Sequence, residues 1–345
     1  MTDPRRAAQL LGVTLLVLSA GMVVSSVVSQ RAAAEDLTIT SLPITRFMSA
    51  NAGERVQGLV WRGGLEMQSQ IDTFGGLSGL GFLGPDQKLV MVSDRGNFVS
   101  GQLIYDEAGH VASLIGVSIE PLQNSKGAEL PRAYARDSES LAVVYRNGAP
   151  AAVRVGFENL TRVSDFQLVD GKPSGPAREI TIPKWLSDTR TNETLEAMCI
   201  APPTSPVAGS TLLISEGIFD AGGNRRGFML GKADAGPISY VSGDGTNPTD
   251  CAFLPNGDLL VLERGVALVA FKMRLVRIAA ADVKPGAVLK GETLLETTGG
   301  DIDNMEALAV HPAPDGTTRI AIVSDNNFND WERNLLLEFS LPQLD

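Results

Sequence analysis

From Asp36 onward the chain rarely spaces its apolar residues at helical intervals. It repeats short apolar runs instead, among them "KLVMVSD", "TLLISEG", "DLLVLERG" and "RIAIVSD". Gly, Pro, Asn and Asp bound each run, which is the pattern of strands joined by turns. The pattern predicts an all-β chain.

Each run is the second half of a larger unit whose first half is another strand. Five copies stand out: "GLSGLGFLGPDQKLVMVSD", "DSESLAVVYRNGAPAAVRVGFEN", "TLEAMCIAPPTSPVAGSTLLISEG", "PTDCAFLPNGDLLVLERG" and "NMEALAVHPAPDGTTRIAIVSD". Anchored on Ser78, Glu139, Glu196, Asp250 and Glu306, they are spaced by 61, 57, 54 and 56 residues. Pro85-Asp86, Asn147-Gly148, Asn256-Gly257 and Asp315-Gly316 supply the hairpin turns. A period of this length with several strands in it predicts blades of about four antiparallel strands in a single β-propeller.

The five copies leave "VQGLVWRGGLEMQSQ" and "NLLLEFSL" near the two ends. Pairing these into a sixth blade would close the ring and remove its exposed edges, so six blades are expected, with seven as the alternative. Two stretches, "MVSDRGNFVS" from Met91 and "IVSDNNFNDW" from Ile322, then occupy the same position in the first and last repeats. In a six-bladed ring only the blade built from both ends would separate them.

If the first strand of each repeat is innermost, Glu139, Glu196, Asp250 and Glu306 crowd one mouth of the central channel. Such repulsion calls for a cation, and hard oxygen ligands call for Ca²⁺. Asn192, Asn247, Thr249 and Asn304 are placed to complete its shell. The alternative is that each acid accepts the amides of its own turn.

The second strands end in a parallel series, Asp94, Glu158, Glu216, Glu263 and Asp325, which an antiparallel hairpin returns to the same face. Asp94 and Asp325 are the candidate catalytic acids and bases. Arg95 and Arg264, with Asn97 and Asn327, are the candidate substrate contacts, since guanidinium suits phosphate or carboxylate. Arginines that merely neutralise their acidic neighbours are the competing explanation. His110 and His311 lie in turns away from the acidic face, which disfavours a histidine-based mechanism. The G-x-G-x-x-G string at Gly79–Gly84 runs into Pro85-Asp86 where a helix should begin, so it does not indicate a dinucleotide site.

At the N-terminus Arg5 and Arg6 precede a charge-free run from Leu10 to Val28 and then "RAAAED". That layout predicts a signal peptide over residues 1–34, cleaved after Ala34, with the propeller over 35–345 and no membrane span once it is removed. A retained anchor is the alternative, and the export route, Sec or Tat, stays open. A periplasmic or secreted protein is expected.

Cleavage removes three basic residues and one acid, taking the formal charge from −11 to −13. A surface this acidic repels phosphate backbones, so no nucleic-acid partner is expected, and a monomer is. Cys199 and Cys251 are equally compatible with a disulfide and with buried thiols.

Taken together, "GGLSGLGF", "SDRGNF", "DSESLAV", "NETLEAM", "ISEG", "PTDCAFLPNGDLLVLER", "NMEALAV" and "SDNNFN" resemble the phytase-like family described by an esterase-like activity of phytase. The resemblance runs from about Gly58 to Phe339. It implies an exported, metal-using propeller that hydrolyses esters or phosphoesters. It carries over no catalytic residue. The resulting expectation is a Ca²⁺-dependent hydrolase of a small ester or phosphoester, with a non-catalytic propeller that binds a metal, ligand or envelope partner as the alternative.

Overall fold

The computed structural model describes residues 35–231 and 234–342. The signal peptide expected over residues 1–34, and its cleavage after Ala34, fall outside the described residues. The rest folds as a single β-propeller of five blades, whose innermost strands are Leu77–Phe82, Ser138–Arg146, Leu195–Ile200, Asn247–Phe253 and Asn304–Pro312. These five strands contact one another in succession and the last meets the first, closing the ring.

Blades I to V take these strands in chain order, and each adds three antiparallel strands outward. Extra edge strands extend three of them: Glu35–Leu37 on blade I, Val288–Leu289 on blade III and Thr40–Ile44 on blade V.

The expected sixth blade does not form. The C-terminal strand Leu335–Ser340 pairs with Thr318–Asp325 and becomes the third strand of blade V, and the N-terminal strand Leu59–Gln68 pairs with it as the fourth. Both ends therefore complete the last repeat rather than building a further one. The last repeat supplies three strands of its own, so the open edge of the third, Leu335–Ser340, is the place where the N-terminal strand is captured.

The apolar residues divide into five clusters, one per blade interface. Leu65, Leu77, Leu80, Val323 and Leu336 pack between blades V and I, while Trp61, Leu262, Leu275, Ile322 and Phe339 pack between IV and V. Alternate residues of every strand enter opposite interfaces, the period-two signature of a strand buried on both sides. Cys199 and Cys251 form a disulfide that ties the inner strands of blades III and IV.

Candidate functional site

Every inner strand carries a β-bulge near its start. The residue skipped by the pairing is Ser78, Glu139, Glu196, Thr249 and Glu306 in blades I to V. In blade IV the equivalent residue is thus Thr249, one place before the anchor read from the sequence. The Ser78 hydroxyl donates to the Ser138 carbonyl, and the Thr249 hydroxyl donates to the Met305 carbonyl at 3.2 Å. Each hydroxyl therefore stitches its blade to the next at the residue before the neighbour's bulge.

Asp250, displaced by that single step, turns its carboxylate onto backbone amides. Cys251 N–H donates to Oδ1 and Leu308 N–H to Oδ2, both at 2.8 Å. The side chain is fully buried, and burial holds its pKa well above the ordinary carboxylate range despite these donors.

The same one-residue offset runs through the second strands. Asp94, Glu158, Glu216 and Asp325 follow Ser93, Phe157, Ser215 and Ser324, which pair opposite the residues before the bulges. In blade IV that opposing residue is Glu263, so the residue that follows it at the mouth is Arg264. Glu263 is buried between strands, where Tyr240 Oη, Thr246 Oγ1 and Arg274 Nη1 donate to it at 2.5 Å each. The expected ring of five acids is therefore four acids and one arginine.

Arg264 reaches across the mouth. Its guanidinium donates to Asn304 Oδ1 at 2.8 Å, lies 3.3 Å from Glu306 and 3.6 Å from Glu216. Burial opposes its charge, but Glu306, Glu196 and Glu216 outweigh that and raise its pKa. Asn247 donates to Glu216 at 2.6 Å and accepts from Arg225 Nη2.

On the other side of the mouth, among the described residues, no Lys or Arg forms an ion pair with the acids, although Arg264 acts on Glu196 from a distance. Carboxylate oxygens of Asp137, Glu139 and Glu158 lie within 4.8 Å of one another. Glu158 accepts the Thr194 N–H, Asp137 accepts the Asn159 amide, and Glu196 shares a hydrogen bond with Glu158. Burial, and then the neighbouring carboxylates, push Glu139 and Glu196 well above their usual range; burial raises Glu158 to about 8. Glu306 also rises to about 8 through burial, with Arg264 working against the shift.

The two "VSD" stretches meet directly, because blades I and V are neighbours with no blade between them. The Asp94 N–H donates to the Gly76 carbonyl, the Gly76 N–H donates to Asn326 Oδ1, and the Arg95 guanidinium lies 3.3 Å above the Phe328 ring. Gly76 has φ of +63°, and a side chain there would strike the Asp94 carboxylate and the Phe328 ring, so only glycine allows this approach.

Asp94 is pushed up to about 7 by burial and by Asp325, and Asp325 to about 6 by burial, against the Asn327 N–H that donates to it at 2.6 Å. Asp94 Oδ1 is buried and has no hydrogen-bond partner among the described residues. Asn97 opens the third strand of blade I opposite Ser93, and the Asn327 amide is held by Glu332 at 2.7 Å.

The structure thus gathers Asp94, Asp325, Arg95, Glu139, Glu196, Glu306 and Arg264 at one mouth. Asp137 and Glu158 join them as potential ligands that the sequence reading had not put in that role. A small-large-small-large alternation was the available signal for the register, since Gly79-Leu80-Gly81-Phe82 and Ala307-Leu308-Ala309-Val310 align with Asp250-Cys251-Ala252-Phe253. That alignment selects Thr249 at the bulge.

The family described as phytase-like, esterase-like activity of phytase, matches residues 72–328. The chain belongs to the phytase-like family. No curated protein matches the chain. Among solved structures, the PQQ-bound aldose sugar dehydrogenase of Streptomyces coelicolor is similar at 12% identity over 89% of this chain and 100% of that one, with a TM-score of 0.40. An endo-arabinase of Bacteroides thetaiotaomicron is similar at 11% identity over 80% and 96%, with a TM-score of 0.44.

Proposed function

We propose that this phytase-like propeller is an exported hydrolase of small esters or phosphoesters that works with a divalent cation, Ca²⁺ by its donor chemistry. The observation that carries the reading is the convergence of Asp137, Glu139 and Glu158 at the channel mouth. Three carboxylates offer only hard oxygen, and the unpaired Asp94 Oδ1 lies in the field of the same Asp137, so the donors fit a hard cation. Such an ion, when bound, would polarise the ester oxygen and acidify water.

The chain's own groups supply the rest. Asp94, with a pKa of about 7, exchanges a proton near neutral pH, and Asp325, at about 6, is the more ionised of the two. Arg95, exposed and steadied on Phe328, orients an anionic group of the substrate. Arg264 is already held by Glu306, Glu216 and Asn304, so its role is to limit the negative charge of the mouth. The cystine fits an oxidising compartment, in keeping with a periplasmic or secreted monomer.

The test is hydrolysis of p-nitrophenyl phosphate and p-nitrophenyl acetate with Ca²⁺ and with chelator, together with melting under both conditions. Turnover that needs the ion and falls in Glu158→Gln and Asp94→Asn supports the reading; no turnover of either substrate counts against it. A binding platform is the second reading. It is favoured by Leu268 and Trp331, which stand 99% and 92% exposed in loops on the mouth side.

A further inference from the structure

We infer that the end of the channel opposite the acids is a second binding site, and that it takes an uncharged apolar small molecule. The same inner strands that begin in the acidic mouth finish around a cavity of about 840 Å³. That volume suits a small ligand. Its wall is built from Leu80–Phe82, Leu141–Val143, Cys199–Ala201, Cys251–Pro255 and Leu308–Pro312, with contributions from the adjoining hairpin turns.

The hollow has a cause in the sequence. Three residues beyond each bulge the chain places Gly81, Ala142, Cys199, Ala252 and Ala309, so all five blades contribute a small side chain at one level. Leu80, Leu141, Met198, Cys251 and Leu308 lie one step nearer the mouth, and Phe82, Val143, Ile200, Phe253 and Val310 one step further away. Ala142 and Ala309 line the space, where larger residues would fill it, whereas a side chain at Gly81 would strike Leu141 and Val143 of blade II; an unfilled apolar space costs stability. A guest that enters it recovers dispersion contacts along the whole wall.

The wall also specifies the guest. Among the described residues no Asp, Glu, Lys or Arg lines the cavity, which leaves nothing to compensate a charge brought inside. His311, the most polar group deep in the wall, is already engaged: it stacks on Phe82 and its Nε2 lies 2.9 Å from the buried Glu338. Along the channel axis the wall takes three residues from most strands and five from Leu308–Pro312, roughly 10 to 15 Å. A neutral wall of that extent accommodates an uncharged apolar body, with any polar group of the guest kept at the rim near Tyr145 and Asn147.

The test titrates the purified full chain with the apolar fluorophore N-phenyl-1-naphthylamine, then adds 1-dodecanol or dodecanoate as competitor. Saturable fluorescence is expected, displaced by both and at least as well by the neutral alcohol. Ala142→Phe and Ala309→Phe, checked for folding by circular dichroism, are expected to weaken binding at least about tenfold by occupying the space. Tyr145→Trp at the rim is expected to gain energy transfer to the bound fluorophore, a readout that does not depend on the filled variants folding. Non-saturable binding, unchanged affinity in folded filled variants, no gain in energy transfer, or loss of binding in Leu268→Ser on the opposite face would each overturn the inference. Hydrolysis plays no part in these readouts, so the result stands apart from the proposed activity.

Discussion

The two ends of the central channel are made by the same five strands, yet one gathers eight carboxylates from Asp94, Asp137, Glu139, Glu158, Glu196, Glu216, Glu306 and Asp325 and the other, among the described residues, carries no Asp, Glu, Lys or Arg on its wall. The bulge separates them. Above it, the strand starts and the ends of their partners bring polar side chains into a shared space, where each carboxylate raises the pKa of the next. Below it, the regular alternation resumes and small apolar residues leave room. One end offers hard oxygen donors and the other an apolar wall.

Breaking the charge balance of the mouth should have the largest effect. Arg264→Met strands Glu306 and Glu216 without their cation and is expected to cost about 3–5 kcal/mol at pH 8, measured by urea unfolding. A variant that unfolds at the same urea concentration as the parent would show that Arg264 does not hold the ring together.

Removing the tie between blades III and IV comes next. Cys199→Ser with Cys251→Ser opens a loop spanning 52 residues and is expected to cost about 2–4 kcal/mol in the same assay. The loss should be matched by adding a reductant to the parent protein.

Adding Ca²⁺ at about 100 times its dissociation constant should stabilise the chain by about 2.7 kcal/mol. Calorimetry should show a higher melting temperature for the parent and no shift for Glu158→Gln, whose neutral amide weakens the Asp137–Glu139–Glu158 set. Equal shifts in both proteins would move the cation elsewhere.

The pH dependence sharpens the contrast further. Asp94, Asp325, Glu158 and Glu306 have folded pKa values of about 7, 6, 8 and 8, all above those of unfolded acids. The folded chain therefore binds more protons, so their contribution is fully present below pH 4 and is lost as pH rises through 6 to 8. Without a cation the melting temperature should fall across that window, and Ca²⁺ should stabilise more at pH 8 than at pH 5. Asp94→Asn should flatten the profile below about pH 7 and leave the fall toward pH 8, which belongs to Glu158 and Glu306.

The smallest effect belongs to the exposed rim. Trp331→Ser removes a side chain that is 92% exposed and should change stability by less than about 0.5 kcal/mol. If it also leaves ester hydrolysis unchanged, the apolar rim of the mouth has no part in catalysis.

Much of this contrast was legible in the chain. Runs such as Lys88–Ser93 and Thr318–Asp325 are strands where the alternation places them, and outside blade IV the acids of both series reach one face. Glu263 and Asp250 were misplaced by one residue because carboxylates recur there in sequence, whereas the structure aligns the blades on their bulges and interface packing. Since successive side chains point to opposite sides, a shift of one sends Glu263 inside and Arg264 to the mouth.

By itself the sequence determined the hairpins, their repetition and the acidic character of one end of the channel, because these follow from local alternation, turn residues and composition. The tertiary structure alone decided that there are five blades, that Leu59–Gln68 joins Leu335–Ser340 within the last of them, and that Cys199 meets Cys251. Those outcomes rest on pairings between distant segments. Any open strand edge can accept a partner, and only closure of the whole ring selects which segment it receives.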